Sequence, residues 1–229
     1  MIKQISDKDA EVLLRDHAKY KLFVAESILG EIKSPIPSRP NYDTLILETY
    51  VESFLFFIVS VQDILLREIN RKYRLVDKKV NPYSILKKLN VNDQKQDNIK
   101  KILEKYFSIP YRTTKQLDKK SYEDILLQGF ITETTYMYDK DDNYYQTYWY
   151  RENTRLWELR QLRNQVSHER IMSTNTYVGS KNDVVFVLKL VDEVKDTLDF
   201  IEIAQPYDYL TSSLDQTKQF LYEIRQIIN

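Results

Sequence analysis

A chain of 229 residues that is 42% hydrophobic and 13% aromatic has the apolar mass for one folded domain and none of the compositional marks of disorder. Three glycines and six prolines are too few for a sandwich or barrel of many short strands, so composition favours helix. The absence of cysteine removes disulfides, thiolate metal sites and thiol nucleophiles; two histidines remove the usual zinc sets; and 34 basic against 34 acidic residues give no net charge, which argues against a dedicated nucleic-acid coat.

Met1 to Asp9 carries no apolar signal region. Ser6 with Asp9 has the pattern of an N-cap followed by an acid at the third position and opens a first helix expected to run to about Gly30. Within it His17, in Arg15-Asp16-His17, is expected on the surface or between helices. The stretch Ser34-Pro35-Ile36-Pro37-Ser38-Arg39-Pro40 cannot continue a helix and is expected as an extended connection.

A second helix is predicted from about Tyr42 to Tyr73, apolar almost all round its middle through Leu45, Leu47, Val51, Leu55, Ile58, Val59, Ile64 and Leu65. It should form the buried spine of a bundle. The polar residues inside it, Glu52, Ser53, Ser60, Gln62 and Asp63, need partners wherever they are buried. The longest apolar run, Phe54 to Val61 interrupted by Ser60, is far short of the roughly twenty residues that span a bilayer, so a cytoplasmic protein with no membrane partner is expected.

Asn81-Pro82 is expected to open a short helix to about Leu89, and Asn92 to cap another that ends at Phe107 before Pro110. Between Arg71 and Lys120 there are fifteen Lys or Arg against five Asp or Glu, while Lys181 to Asn229 holds five against nine. A local basic field of this kind attracts polyanions, although pairs such as Lys87-Lys88 and Lys100-Lys101 are equally well read as solvated helix faces. This basic segment marks an insertion expected over about 77–145. Tyr136 to Tyr145 has the clustered acids and asparagine of a loop or hairpin turn, without the glycine and terminal glutamate of a calcium loop.

A third long helix is predicted from about Gln146 to Ile171, its first half rich in Tyr and Trp. At about 100° per residue, Leu159, Leu162 and Val166 share an apolar face. Trp157, Gln161, Asn164 and His168 form a second stripe roughly opposite. Arg163 lies about 140° from His168, so the two side chains meet only if the helix breaks near Ser167 or if a two-fold dimer brings one copy's arginine to the other's histidine. Asn164, one turn before His168, is placed to orient the imidazole. Asp183 to Leu190 and Thr197 to Ile203 have strand composition and are expected to pair as a β-hairpin over about 183–203, after which Pro206 starts a final helix to Ile228.

The segment Arg163-Asn164-Gln165-Val166-Ser167-His168 resembles the Arg-x4-6-His signature of the HEPN superfamily, helical ribonuclease-like proteins of toxin, phage-defence and RNA-processing systems. The resemblance covers about ten residues closely and the remainder only through its helical organisation. It implies a mainly α, HEPN-like bundle with two long antiparallel helices spanning residues 1–229, and a metal-independent endoribonuclease that works as a homodimer on RNA without a cofactor. It implies an antitoxin or defence-system partner as well. Arg163, His168 and Asn164 would be the catalytic set, with Arg160 and Arg170 holding RNA. Imidazole, with an ordinary pKa of about 6.5, does acid and base work near neutrality, and arginine neutralises charge growing on a phosphate. The subgroup paired with a nucleotidyltransferase antitoxin has a modified tyrosine two residues after the histidine, where this chain has Arg170. The alternative is a catalytically inactive HEPN-like helical dimer serving as an RNA- or protein-binding module.

Overall fold

In a computed structural model, residues 5–32, 40–107, 112–116, 131–138, 144–151, 156–168, 171–178, 184–191, 200–203 and 206–228 are described. The chain is mainly helical. Its helices are α1 (Asp7–Arg15), α2 (His17–Ile32), α3 (Pro40–Tyr73), α4 (Pro82–Leu86), α5 (Gln94–Phe107), α6 (Leu156–His168) and α7 (Pro206–Ile228). Its strands are β1 (Arg112–Gln116), β2 (Ile131–Tyr138), β3 (Tyr144–Arg151), β4 (Ile171–Val178), β5 (Val184–Val191) and β6 (Phe200–Ile203).

The spine is α3, 34 residues and so about 50 Å long. Val51, Phe54, Leu55, Ile58, Val59, Leu65, Leu66 and Ile69 are all buried along it, and α2, α6 and α7 pack around it. Each such side chain contributes about 1.5–3 kcal/mol by leaving water. The Leu45–Tyr73 part of α3 is also long and apolar enough to cross a membrane by length and composition, a test that the core helix of a bundle passes too. From α7, Leu210, Leu214, Phe220, Leu221 and Ile224 are buried, with the Phe220 ring edge-on to Tyr106 and Phe107 of α5 at centroid distances of 5.4 and 5.3 Å. Thus α5, inside the segment expected as an insertion, supplies Ile99, Leu103, Tyr106 and Phe107 to the same core.

The expected first helix to Gly30 is two helices. Asp16 is extended (φ −119°, ψ 93°), its amide still donates to the Leu13 carbonyl, and its carboxylate accepts the Lys19 amide at 3.1 Å. An aspartate that both ends one helix and caps the next is a stable break, because its side chain satisfies a donor that the following helix leaves open. At α5 the cap is Asp93 rather than the expected Asn92: the Asp93 carboxylate accepts the Lys95 and Gln96 amides at 2.9 and 3.1 Å. Asn81 and Ser84 form a reciprocal capping box, with Pro82 at the first position of α4. The far end of α3 is closed by Asn70, whose amide oxygen accepts the Leu75 and Val76 amides while its NH2 donates to the Val76 carbonyl.

The third long helix, expected from Gln146 to Ile171, is shorter. Residues Tyr144–Arg151 form β3, and only Leu156–His168 is helical, with β4 beginning at Ile171. Tyr, Trp and Thr crowd this stretch and suit a pleated surface better than a helix, where aromatic and β-branched side chains lose rotamer freedom. The strands make one antiparallel sheet in the order β1-β3-β2-β6-β5-β4. In it β2 and β3 pair from Ile131↔Arg151 to Tyr138↔Tyr144, and β5 meets β6 from Leu188↔Ile203 to Val191↔Phe200. Beside the bundle, β4 reaches α3 and β5 reaches α7.

Candidate functional site

The apolar face of α6 seats the helix. Leu156, Leu159 and Leu162 are buried and Val166 packs against them, so the turn angle carries Arg160 and Arg163 to the side facing α3. There Asp63 meets both. Arg160 Nη1 donates to Asp63 Oδ1 at 2.7 Å, and Arg163 Nη2 stands 3.7 Å from Oδ2. The first is a charge-assisted hydrogen bond and the second an ion pair without hydrogen-bond geometry. The Arg160 side chain is 14% exposed and that of Arg163 is 26% exposed.

Two cations on one carboxylate leave a positive charge, and it belongs mainly to Arg163. Its Nε is buried and has no hydrogen-bond partner among the described residues. A guanidinium has five N–H donors in a fixed fork, and here most of them are uncommitted. Beyond Arg163 opens a cavity of about 290 Å³, lined by Glu52, Phe56 and Phe57 of α3 and by Val166 and Ser167 of α6. Phe56 is 54% exposed at its rim, edge-on to Phe57, and the Lys21 ammonium of α2 lies 4.8 Å from the Phe57 ring centre and 5.9 Å from that of Phe56. Burial, reinforced by the neighbouring charge of Glu48, pushes the Glu52 carboxyl up from its ordinary range. The recess therefore combines an underused arginine, a carboxyl whose pKa is shifted upward and an exposed aromatic ring.

Of the residues singled out from sequence, Arg160 and Arg163 come together on Asp63, while Asn164, one turn after Arg160, is exposed. His168 is the last residue of α6; its side chain and Arg170 lie outside the described residues. Among the polar residues of the spine, Asp63 finds the two arginines and Ser60 donates to the Phe56 carbonyl. Gln62 is fully buried, with neither amide atom partnered among the described residues. Lys21 and Phe56 had no signal in the sequence: a phenylalanine within Phe54-Leu55-Phe56-Phe57 reads as core, and only the angular position on α3 turns it to the rim.

No protein-family model matches this chain, and neither a curated protein nor a solved structure does so.

Proposed function

We propose that this chain is a HEPN-type, metal-independent endoribonuclease whose cleavage centre is built on α6 around Arg163 and His168. The observation that carries this is the state of Arg163: half-sunk, tethered loosely by Asp63, and open to a recess with an aromatic rim. An arginine so held is suited to a phosphodiester, whose oxygens take several N–H donors at once, while an exposed ring such as Phe56 suits an unpaired base. Arg160, committed to Asp63, acts here as a positioning residue that fixes the acid against which Arg163 leans.

In the proposed reaction the ribose 2′-oxygen attacks phosphorus as the 5′-oxygen leaves. The 2′-hydroxyl proton passes to His168, the departing oxygen takes up a proton, and Arg163 neutralises the charge growing on the non-bridging oxygens. The products are a 2′,3′-cyclic phosphate and a 5′-hydroxyl. The working unit is a homodimer with α6 at its two-fold interface, in a toxin–antitoxin or phage-defence setting with a partner protein that restrains it. A catalytically silent dimer is the second reading, favoured by the exposed apolar residues Leu45 and Phe56 on α3.

Purified protein incubated with mixed RNA in EDTA, beside Arg163→Ala and His168→Ala, separates the two. Cleavage with cyclic-phosphate ends that both variants lose supports the enzyme, and so does protection of a substrate with deoxyribose at the cleavage position. Equal cleavage of DNA, or loss of dimerisation in sedimentation with intact RNA in every lane, goes against it.

A further inference from the structure

A second cavity, of about 710 Å³, opens where the α1–α2 break, the last turns of α3 and the end of α7 meet. Five cations line it, Arg15, Arg67, Arg71, Lys72 and Arg225, against two acids, Asp16 and Glu68, beside His17. Their commitments differ. Arg225 forks onto both oxygens of Asp16 and donates to Glu68 at 3.1 Å, so these acids are spent on the fold. Arg15 pairs with Glu11, and Lys72 donates to the Ile228 carbonyl at 2.5 Å. Arg67 and Arg71 have no acidic partner among the described residues.

Arg67 and Arg71 are four residues apart and therefore neighbours on one helix face, where like charges repel unless an anion lies between them. Both are exposed, and both face the concavity. The volume is that of a small-molecule site rather than of a lone ion. Eleven residues of helix, or roughly 16 Å, separate Arg67 from Phe56 at the first recess, so the two cavities are distinct.

We infer that this cavity binds a condensed phosphate, of triphosphate size, clamped by Arg67 and Arg71 with Arg15 and Lys72 at its edges. Two arginines without acidic partners among the described residues, with Lys72 and the Glu11-paired Arg15 beside them, match a triphosphate better than orthophosphate, and forked guanidinium groups are the side chains best suited to adjacent phosphate oxygens. A free nucleotide and the 5′-triphosphate end of an RNA present the same group. The site stands whether or not α6 carries a ribonuclease.

Calorimetric titration of the full chain with sodium tripolyphosphate, at fixed moderate salt, tests it. Tripolyphosphate should bind at least about tenfold more tightly than orthophosphate, and Arg67→Ala/Arg71→Ala should weaken it about a hundredfold, about tenfold for each charge-assisted contact. Arg163→Ala should bind as the unaltered chain does. Circular dichroism of the double variant, both of whose positions are exposed, checks that it is folded. Further titrations with a nucleoside triphosphate and with short RNAs ending in 5′-triphosphate or 5′-hydroxyl identify the source; preference for either triphosphate supports the site. No tripolyphosphate binding to the folded chain, undiminished binding in the double variant, or equal affinity for the 5′-hydroxyl RNA overturns it.

Discussion

Arg225 and Arg163 are two half-sunk arginines on different helices, the first leaning on Asp16 at the α1–α2 break and on Glu68 of α3, the second on Asp63 of α3, yet they are held in opposite ways. Arg225, with a side chain 20% exposed, has Asp16 on both sides of its fork and Glu68 besides. Among the described residues, Arg163 shares its one acid with Arg160, makes no hydrogen bond to it, and keeps a buried Nε unpartnered. A saturated arginine holds elements together; an unsaturated one retains the capacity to bind. Charge and depth alone do not distinguish them, whereas the count of committed donors does.

The largest expected effect tests the unsaturated member. Arg163→Ala should lower RNA cleavage by about 10²–10³-fold, the scale for removing one donor to a developing anion, while the melting temperature moves by less than about 2 °C. Collapse of the fold on that change would erase the contrast. Arg225→Ala should do the reverse, costing about 2–3 kcal/mol because half-buried Glu68 loses this cation and Asp16 keeps only Lys19 among the described residues, and lowering the melting temperature by about 4–12 °C. Adding Asp16→Asn should recover part of that loss in the same melting experiment.

A smaller effect is expected at Gln62, next to Asp63 and fully buried with both amide atoms unpartnered among the described residues. Gln62→Met keeps the volume and removes the cost of burying an amide, so denaturant titration should show a gain of about 1 kcal/mol. The most gradual effect is on pH. Burial opposes the charge on Asp16, but Arg225, the Lys19 amide and the Lys19 charge outweigh it and hold its carboxyl below the ordinary range. For Glu223 burial is likewise outweighed, by Lys105, Gln219 and Tyr106. Both groups thus stabilise the fold above their unfolded pKa values of about 4, and that stability is lost as pH falls through their lower folded values. Glu52, shifted up, works the other way: its contribution is present below its unfolded value and fades as pH rises through its folded one. Melting curves between roughly pH 6 and 3 should show net loss toward acid, with Asp16→Asn flattening the slope.

How far the sequence reached follows the range of the forces involved. The spine α3, the final helix α7 and the buried leucines of α6 were legible because a 3.6-residue apolar period is local. Asp63 was legible in part, since an acid inside an apolar spine calls for a partner, but Arg160 stands 97 residues away. The break at Asp16 was hidden for the same reason. Nothing in Arg15-Asp16-His17 interrupts a helix by propensity, and the arginine that rewards an extended aspartate belongs to α7. At β3 the fault lay in period rather than range, because a run of aromatics fits a buried helix face and a strand alike, and Tyr148-Trp149-Tyr150 gains its ladder only from β1 and β2 on either side.

The clasp between Arg225 and Asp16 joins positions 209 residues apart. As the chain leaves the ribosome, α1, α2 and α3 are made long before α7 exists, and the faces that α7 will cover on α2, α3 and α5 must wait for it. Closure of such distant contacts is slow compared with forming any one helix. The order of synthesis thus leaves an interval in which the spine is exposed, and the emergence of α7 ends it.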